Sequence, residues 1–380
     1  MGRGLVSAIA QNSARGVLLN GAVINAGTGN ISITGTGEGL GSDNRGVEII
    51  NGATIQADGN GAIEITGTGG KANSGTLSAN LGVFIADSSV QVADGNLTLI
   101  GTGGSDGSRN RGIRVGGNAT VKAIGTGSIA LIGTGGDGTG LNSGIDLEDS
   151  IIESVTGAIA LTGTGGNGNS SRGIYMTNGA EIRSQDGAIS LVGNGAATAT
   201  GIDNIGVDIR NSTINATGFG SMTFSGTGGS DTSRNDGIYF RTSQITGNNG
   251  DLEFIGTGSS SATGDNNRGI VVFDGSTIQA TGSGNITLQG TGGTGVNDNL
   301  GVLILSTNTA IASTTGEIRI TGQGSTTATG TNNGGISLSQ GNITSASGAI
   351  SLTGTAQPNS GTIRNYGILL DANAAVRSID

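Results

Sequence analysis

Apolar and polar residues alternate along this chain in short segments separated by Gly, Asn and Asp. One stretch shows the arrangement clearly, with alternating segments at residues 44–49, 53–57 and 62–70. Alternation with a period of two, bounded by turn-forming residues, is typical of β-strands. No segment keeps the period of a helix. The pattern therefore predicts a unit of three strands joined by turns.

The same three-strand unit recurs along the whole chain. Each unit begins with a glycine followed by Val or Ile, and these glycines are about 32 residues apart on average. The leading glycines are Gly16, Gly46, Gly82, Gly112, Gly144, Gly173, Gly206, Gly237, Gly269, Gly301, Gly335 and Gly367. A fixed period of this length indicates a repeat architecture in which each unit is one supersecondary structure.

The apolar positions form columns when the units are aligned on the leading glycine. Val or Ile always follows that glycine, and a second apolar column lies two residues further on, from Leu19 to Leu370. One unit cannot cover these side chains alone, whereas stacked units bury them in a continuous interior. We therefore predict an all-β fold, a parallel β-helix solenoid with three strands per coil and about twelve coils, as a single array over residues 1–380. The length of the unit and its three faces favour a right-handed helix.

An asparagine column accompanies the leading glycines. Asn stands two residues before the glycine in most units, and Ala14 and Ser171 take its place in the other two. Stacked Asn side chains can hydrogen-bond to one another and to the backbone of turns. We therefore expect a structural Asn ladder made of Asn44, Asn80, Asn110, Asn142, Asn204, Asn235, Asn267, Asn299, Asn333 and Asn365.

The ends of the sequence differ from the units between them. The last unit stops at Ile379-Asp380, before its third strand, and neither end offers a polar element that would cap a solenoid. We expect a segment of a longer array with uncapped ends. Such ends can join the rest of that array or associate end to end with another copy.

Composition and charge narrow the possible functions. The chain has 17 Lys and Arg against 27 Asp and Glu, a net charge of −10, which disfavours binding to nucleic acid or to an anionic membrane surface. It has no His and no Cys, which excludes Ser-His-Asp and Cys-His catalysis and ordinary zinc sites. No apolar stretch is long enough to span a bilayer. We expect no cofactor, no metal ion, no nucleic acid partner and no membrane insertion.

Three strand motifs resemble the repeats of known proteins. They are the Gly-Val/Ile strand, the Ala-Thr-Ile-Gln-Ala strand at residues 53–57 and the Ala-Ile-x-Ile-Thr-Gly-Thr-Gly-Gly strand at residues 62–70. They are similar to the repeats of very large bacterial surface proteins, the filamentous-haemagglutinin-like adhesins and the Gly/Thr-rich β-strand-repeat exoproteins common in cyanobacteria. The resemblance covers nearly the whole chain. It implies export to the cell surface and a rod that holds adhesive regions away from the cell.

The outward positions of the first strand hold the strongest candidate site. In the fourth to eighth units they carry Arg, Asp and Tyr, and the next outward position adds Glu and Arg. Asp146 and Glu148 are expected roughly 6.6–6.8 Å apart along one strand, and Asp146 and Asp208 about 9–10 Å apart across two coils. These separations overlap the carboxylate spacing of inverting glycosidases. The candidate residues are Arg114, Asp146, Glu148, Tyr175, Asp208, Arg210, Tyr239 and Arg241.

Three interpretations of this group are open. Outward strand positions are normally polar, so we first expect a solvated surface on which opposite charges stabilise neighbouring strands. Tyr175 and Tyr239 could instead stack on a surface glycan, and Asp146, Glu148 and Asp208 could act on a polysaccharide. We expect a non-enzymatic stalk or filament segment of a bacterial adhesin, secreted or at the cell surface. The alternative is a polysaccharide-active or glycan-binding β-helix.

Overall fold

The chain winds into a parallel β-solenoid. The computed structural model describes residues 2–3, 13–39, 41–71, 79–198, 201–356 and 364–379. All regular structure in these ranges is β-strand, and the solenoid makes about 11 turns of about 32 residues each. The all-β solenoid with three strands per coil is therefore confirmed. None of the described segments forms a helix long and apolar enough to cross a membrane.

The third strands of the coils form one sheet of 12 parallel strands. In order, they are Gly2–Arg3, Ile31–Thr36, Ile63–Thr68, Leu97–Thr102, Ile129–Thr134, Ile159–Thr164, Ile189–Asn194, Met222–Thr227, Leu252–Thr257, Ile286–Thr291, Ile318–Gln323 and Ile350–Thr355. Equivalent residues lie opposite one another in successive coils, as Ile63, Leu97 and Ile129 do. This register keeps the apolar positions in straight files along the axis.

The first and second strands form the other two faces. The separate first strands are Arg15–Asn20, Arg45–Ile50, Val83–Ala86, Ile174–Thr177, Val207–Arg210, Ile238–Arg241, Ile270–Phe273, Val302–Leu305, Ile336–Ser339 and Ile368–Asp371. The separate second strands are Val23–Asn25, Thr54–Ala57, Ser89–Val92, Glu181–Ser184, Thr213–Ala216, Gln244–Gly247, Thr277–Ala280, Ala310–Ser313, Asn342–Ser345 and Ala375–Ser378. Each pairs in parallel with its equivalent in the neighbouring coil.

Two coils depart from the predicted three separate strands. Their first and second strands are continuous, as Ile113–Ala123 and Ile145–Ser154. In the first of them the register shifts between Gly116 and Ala119, where Gly117 and Asn118 have φ angles of 58° and 59°. Gly and Asn adopt this left-handed conformation at low cost, so the chain bends there while the ladder continues on both sides.

Apolar side chains from all three faces fill the interior in one continuous cluster. Three phenylalanines are its largest fully buried side chains among the described residues. The rings of Phe224 and Phe254, in adjacent third strands, stack with centroids 4.7 Å apart. Phe240 meets both edge-on, at 5.9 and 5.7 Å. A core that runs without interruption from coil to coil holds the solenoid together, because each coil contacts only its neighbours.

The repeated glycines mark a corner at which two strands meet closely. A Cβ atom at Gly46 would collide with the backbone nitrogen of Thr68, and one at Gly67 would collide with the carbonyl oxygen of Gly82. The same close approach therefore requires two glycines in each coil. One leads the first strand, and the other lies near the end of the third strand.

The Asn side chains stack along the axis and are linked through the backbone. The N–H of Asn267 donates to Oδ1 of Asn299 in the next coil at 2.9 Å. Ser171 keeps the chain of bonds continuous, because its Oγ accepts from the N–H of Asn142 and its own N–H donates to Asn204. The same N–H to Oδ1 bond joins Asn44 to Asn80, Asn110 to Asn142, Asn204 to Asn235, Asn235 to Asn267, Asn299 to Asn333 and Asn333 to Asn365.

Candidate functional site

The candidate residues lie on the outer stripe, which is the column of first-strand side chains that point away from the core. Its members are Leu18, Glu48, Phe84, Arg114, Asp146, Tyr175, Asp208, Tyr239, Val271, Leu303, Ser337 and Leu369. The structure thus brings five of the predicted residues into adjacent coils of one column. Glu148, Arg210 and Arg241 occupy the next outward position in their strands.

A second column runs beside the stripe. We call it the covering column, and it consists of the residue before each leading glycine: Arg15, Arg45, Leu81, Arg111, Ser143, Arg172, Ile205, Asp236, Arg268, Leu300, Gly334 and Tyr366. Four of its five arginines reach over the stripe and form ion pairs with it. In the later coils, from Asp203 to Asp371, the two columns line a groove. This column was not among the predicted site residues, although its constant position before the glycine is visible in the sequence.

Asp208 is the centre of a buried ion cluster. It is 0% exposed and accepts hydrogen bonds from Nε of Arg172 and, at 2.8 and 2.9 Å, from Nε and Nη2 of Arg210. Burial alone would lower the pKa of Arg210, because it disfavours the charged guanidinium. The adjacent Asp208 carboxylate has the larger effect, and the pKa of Arg210 is raised. The interpretation of this position as a solvated surface is therefore wrong, because Arg172 covers the carboxylate.

The carboxylate of Asp146 has a similar environment. It is 2% exposed and forms an ion pair with Arg111, which is itself buried. Burial lowers the pKa of Arg111, and the charge of Asp146 opposes that shift. Glu148, which is more exposed, pairs with Arg114 and accepts a hydrogen bond from Nδ2 of Asn178 at 2.9 Å. All three predicted catalytic carboxylates thus have cationic partners.

The two tyrosines of the stripe also contact arginines. The guanidinium carbon of Arg172 lies 4.5 Å from the ring centroid of Tyr175, and that of Arg210 lies 5.9 Å from Tyr175 and 5.2 Å from Tyr239. Burial raises the pKa of Tyr239, and the charge of Arg210 opposes the shift. Ring surface that a sugar would use for stacking is therefore already in contact with a guanidinium on each tyrosine.

The last predicted residue of the group, Arg241, is more exposed. It pairs with Asp274 in the next coil at 3.0 Å, and both side chains are about half exposed. Its guanidinium also lies 5.9 Å from the ring of Phe273. This pair is the solvated surface contact that the sequence predicts for the whole stripe.

The chain matches no model of a known protein family, no curated protein and no solved structure. Its possible chemistry is therefore argued from the site alone. Within the described part of the chain, no group of three or more acidic side chains is placed to hold a metal ion.

The covering arginines follow a rule of pairing with the next coil. Arg15 pairs with Glu48, Arg111 with Asp146 and Arg172 with Asp208, so each arginine reaches the acid of the stripe one coil further on. Arg45 pairs with Glu48 of its own coil and lies 4.5 Å from the ring of Phe84 in the next one.

Arg268 departs from this rule because the stripe residue of the next coil is Leu303. Its guanidinium donates to the side chain of Asn266. Within the described ranges, no carboxylate lies at ion-pair distance from it, and its Nε is buried without a hydrogen-bond partner.

Two cavities open along the groove, and Arg268 borders both. The polar cavity, of about 180 Å³, is lined by Arg210, Arg234, Asp236 and Tyr239. The apolar cavity is larger, at about 300 Å³. Asp236 is 2% exposed, and this burial raises its pKa to about 6. The charge of Arg268 and a hydrogen bond from the backbone N–H of Arg268 act in the opposite direction and lower the pKa of Asp236.

The arrangement can bind a ligand more readily than it can catalyse. A general acid and base need carboxylates that can exchange protons with a substrate, whereas the stripe carboxylates are engaged by arginines. The groove, in contrast, has two cavities, and Arg268, which borders both, has no ion pair within the described residues.

Proposed function

We propose that this chain is a structural rod, a non-enzymatic stalk or filament segment of a secreted or cell-surface bacterial adhesin. The observation that carries the proposal is the constant register of the 12-stranded sheet, in which equivalent residues face each other from coil to coil. Parallel strands are about 4.8 Å apart, so the stack forms a rod on the order of 50–55 Å long. A slender object of fixed length is suited to holding other parts of a protein away from a surface.

Three sets of contacts support a stiff rod. The sheets hydrogen-bond along the axis, the apolar interior is continuous, and the Asn ladder ties the corner of each coil to the next. Ion pairs such as that of Arg172 with Asp208 add links between coils on the outer face. The chain has no cysteine, so no disulfide contributes to this stiffness.

The enzymatic and glycan-binding alternatives receive less support. The carboxylates that would act on a polysaccharide are paired with arginines, and the tyrosines that would stack on a glycan contact guanidinium groups. We infer that these contacts serve mainly to join neighbouring coils.

Negative-stain electron microscopy of the purified chain tests the rod. We expect straight particles of uniform length, on the order of 50–55 Å. Compact or variably bent particles would contradict the proposal.

A concentration series tests the partners: longer fibres at high concentration would indicate end-to-end association, and single rods throughout would indicate a stalk segment that joins only its own array.

Surface labelling tests the location, and a polysaccharide digest tests the absence of enzymatic activity. An antibody raised against the rod should label intact cells of the source organism. A signal that appears only after permeabilisation would place the protein elsewhere. The purified chain should release no new reducing ends from a panel of bacterial and plant polysaccharides, and sustained release would support the enzymatic alternative.

A further inference from the structure

The apolar cavity exists because two small residues interrupt a file of large ones. Ser337 lies in the outer stripe between Leu303 and Leu369, and Gly334 lies beside it in the covering column. Glycine is required at position 334, because a Cβ atom there would collide with the carbonyl oxygen of Tyr366. The cavity is therefore a built feature of the eleventh coil.

Leucine side chains form much of the wall of this cavity, although it lies on the outside of the rod, and charged side chains such as Arg268 and Asp371 form part of the rest. Val271, Leu300 and Leu303 form a second hydrophobic cluster, separate from the core, and Phe273 and Leu305 pack against it. With a volume of about 300 Å³, the cavity lies at the lower end of the range of roughly 300–1,000 Å³ that is typical of small-molecule sites. The leucine side chains suit a hydrocarbon chain better than a sugar.

One end of the cavity carries Arg268, which has Leu303 in the next coil at the stripe position where Arg15, Arg111 and Arg172 have an acid. The guanidinium of Arg268 borders the cavity and has no carboxylate at ion-pair distance within the described residues, so a ligand carboxylate that reaches it gains a charge-assisted hydrogen bond. Arg111 and Arg172 each form an ion pair with a carboxylate from the next coil. A carboxylate on a ligand would take the same place at Arg268.

We propose that this cavity binds an amphiphilic carboxylate, a medium-chain fatty acid, with its hydrocarbon chain against Leu300, Leu303 and Leu369 and its carboxylate on Arg268. Arg364, Asp298 and Asp371 also line the cavity. Asp371 is exposed to solvent, so its charge is hydrated and weighs less on the ligand than the half-buried Arg268 does. The site is independent of the rod function.

Isothermal titration of the full chain with sodium decanoate, below its micelle concentration, tests the proposal. We expect saturable binding with one site per chain. Decanol, which has the same chain without the charge, should bind at least about tenfold more weakly, because its hydroxyl group can accept a hydrogen bond from the guanidinium but cannot form an ion pair with it. Decyltrimethylammonium, which carries the opposite charge, should not bind detectably.

Three variants locate the site. Ser337→Leu fills the cavity and should weaken decanoate binding by about tenfold or more. Leu303→Asp places an acid where Asp146 and Asp208 lie in earlier coils, so it should pair with Arg268 and abolish binding. Arg268→Gln should weaken decanoate binding by roughly tenfold and leave decanol binding unchanged, because only the charged contact is lost.

A matched control separates binding from folding. Ser190→Leu makes the same change at an outward position of a third strand, away from the cavity, and should bind decanoate like the parent chain. The melting temperature of each variant shows whether it is folded. Ser337 is an outward surface position, so Ser337→Leu should melt close to the parent chain.

Several results would overturn the proposal. They are the absence of saturable decanoate binding to the parent chain, equal binding of decanol and decanoate, and undiminished binding to a folded Ser337→Leu variant. Selective binding of a synthetic peptide with alternating acidic and apolar residues, without decanoate binding, would assign the groove to a protein partner instead.

Discussion

The outer stripe has two stretches that differ in chemistry but share one backbone. From Glu48 to Tyr239 the stripe is charged and aromatic, and arginines of the covering column bind it. From Val271 onward it is largely apolar, and Leu300 of the covering column packs against it. In both stretches a side chain of one coil is matched by the covering residue of a neighbouring coil. This face of the solenoid therefore accepts either kind of contact, provided that the side chains of successive coils are complementary.

The charged stretch should be the more sensitive to loss of one partner. Asp208→Ala leaves Arg172 and Arg210 without their shared carboxylate, and breaking a buried pair in this way costs about 3–5 kcal/mol. We expect a corresponding fall in the free energy of unfolding, measured by denaturant titration. The matched control is Asp274→Ala, which removes an exposed pair and should cost less than about 1 kcal/mol. Equal effects of the two variants would show that burial does not distinguish them.

The apolar stretch should respond to loss of volume. Leu303→Ala removes a nearly buried side chain from the outer cluster and should lower the free energy of unfolding by roughly 2–3 kcal/mol. Leu18→Ala changes the same stripe position in the first described coil, where the leucine is 48% exposed, and should have little effect. If both variants melted like the parent chain, the outer cluster would contribute nothing to stability.

The boundary between the two stretches should show a pH dependence. The pKa of Asp236 is about 6 in the folded chain, above its ordinary value of 3.8, so the folded state binds this proton more tightly than the unfolded state does. Stability should therefore fall as the pH rises from about 4 to about 6, by up to about 3 kcal/mol. Asp236→Asn should remove this dependence and be the more stable protein at neutral pH.

Thermal unfolding followed at several pH values measures this effect. Asp203→Asn serves as the control, because Asp203 lines the same cavity but pairs with Arg234. The control should retain most of the loss of stability between about pH 4 and about pH 6, because burial is the largest cause of the raised pKa of Asp236 and the charge of Asp203 adds a smaller part. A parent chain whose stability does not fall in that range would contradict the raised pKa of Asp236.

The fold could be predicted from the sequence because the repeat displays its own register. The column of Val47, Val83 and Ile113 appears in the sequence directly after the leading glycine of each unit, and the structure places these residues opposite one another. The continuous strand Ile113–Ala123 could not be predicted in the same way. It passes through two left-handed residues, Gly117 and Asn118, and similar pairs such as Asn178 and Gly179 lie between separate strands in other coils, so the residue types at this bend do not show whether the strand continues.

The environment of the site was harder to predict than its position. Strand alternation correctly indicates that Asp146 and Asp208 point away from the core, but it does not show what lies above them. Long side chains of the covering column, Arg111 and Arg172, bury both carboxylates. The apolar cavity was missed for a related reason: it results from the small size of Ser337 among larger neighbours, and a column of residue types does not display a volume.

The constant register also bears on how the chain reaches its native state. Each strand pairs with the strand about 32 residues away, so every step of the stack closes a loop of nearly the same length. The entropy cost of adding a coil is therefore similar at each step, and a coil that has already formed supplies the template for the next. Such a chain can fold by winding on one coil at a time.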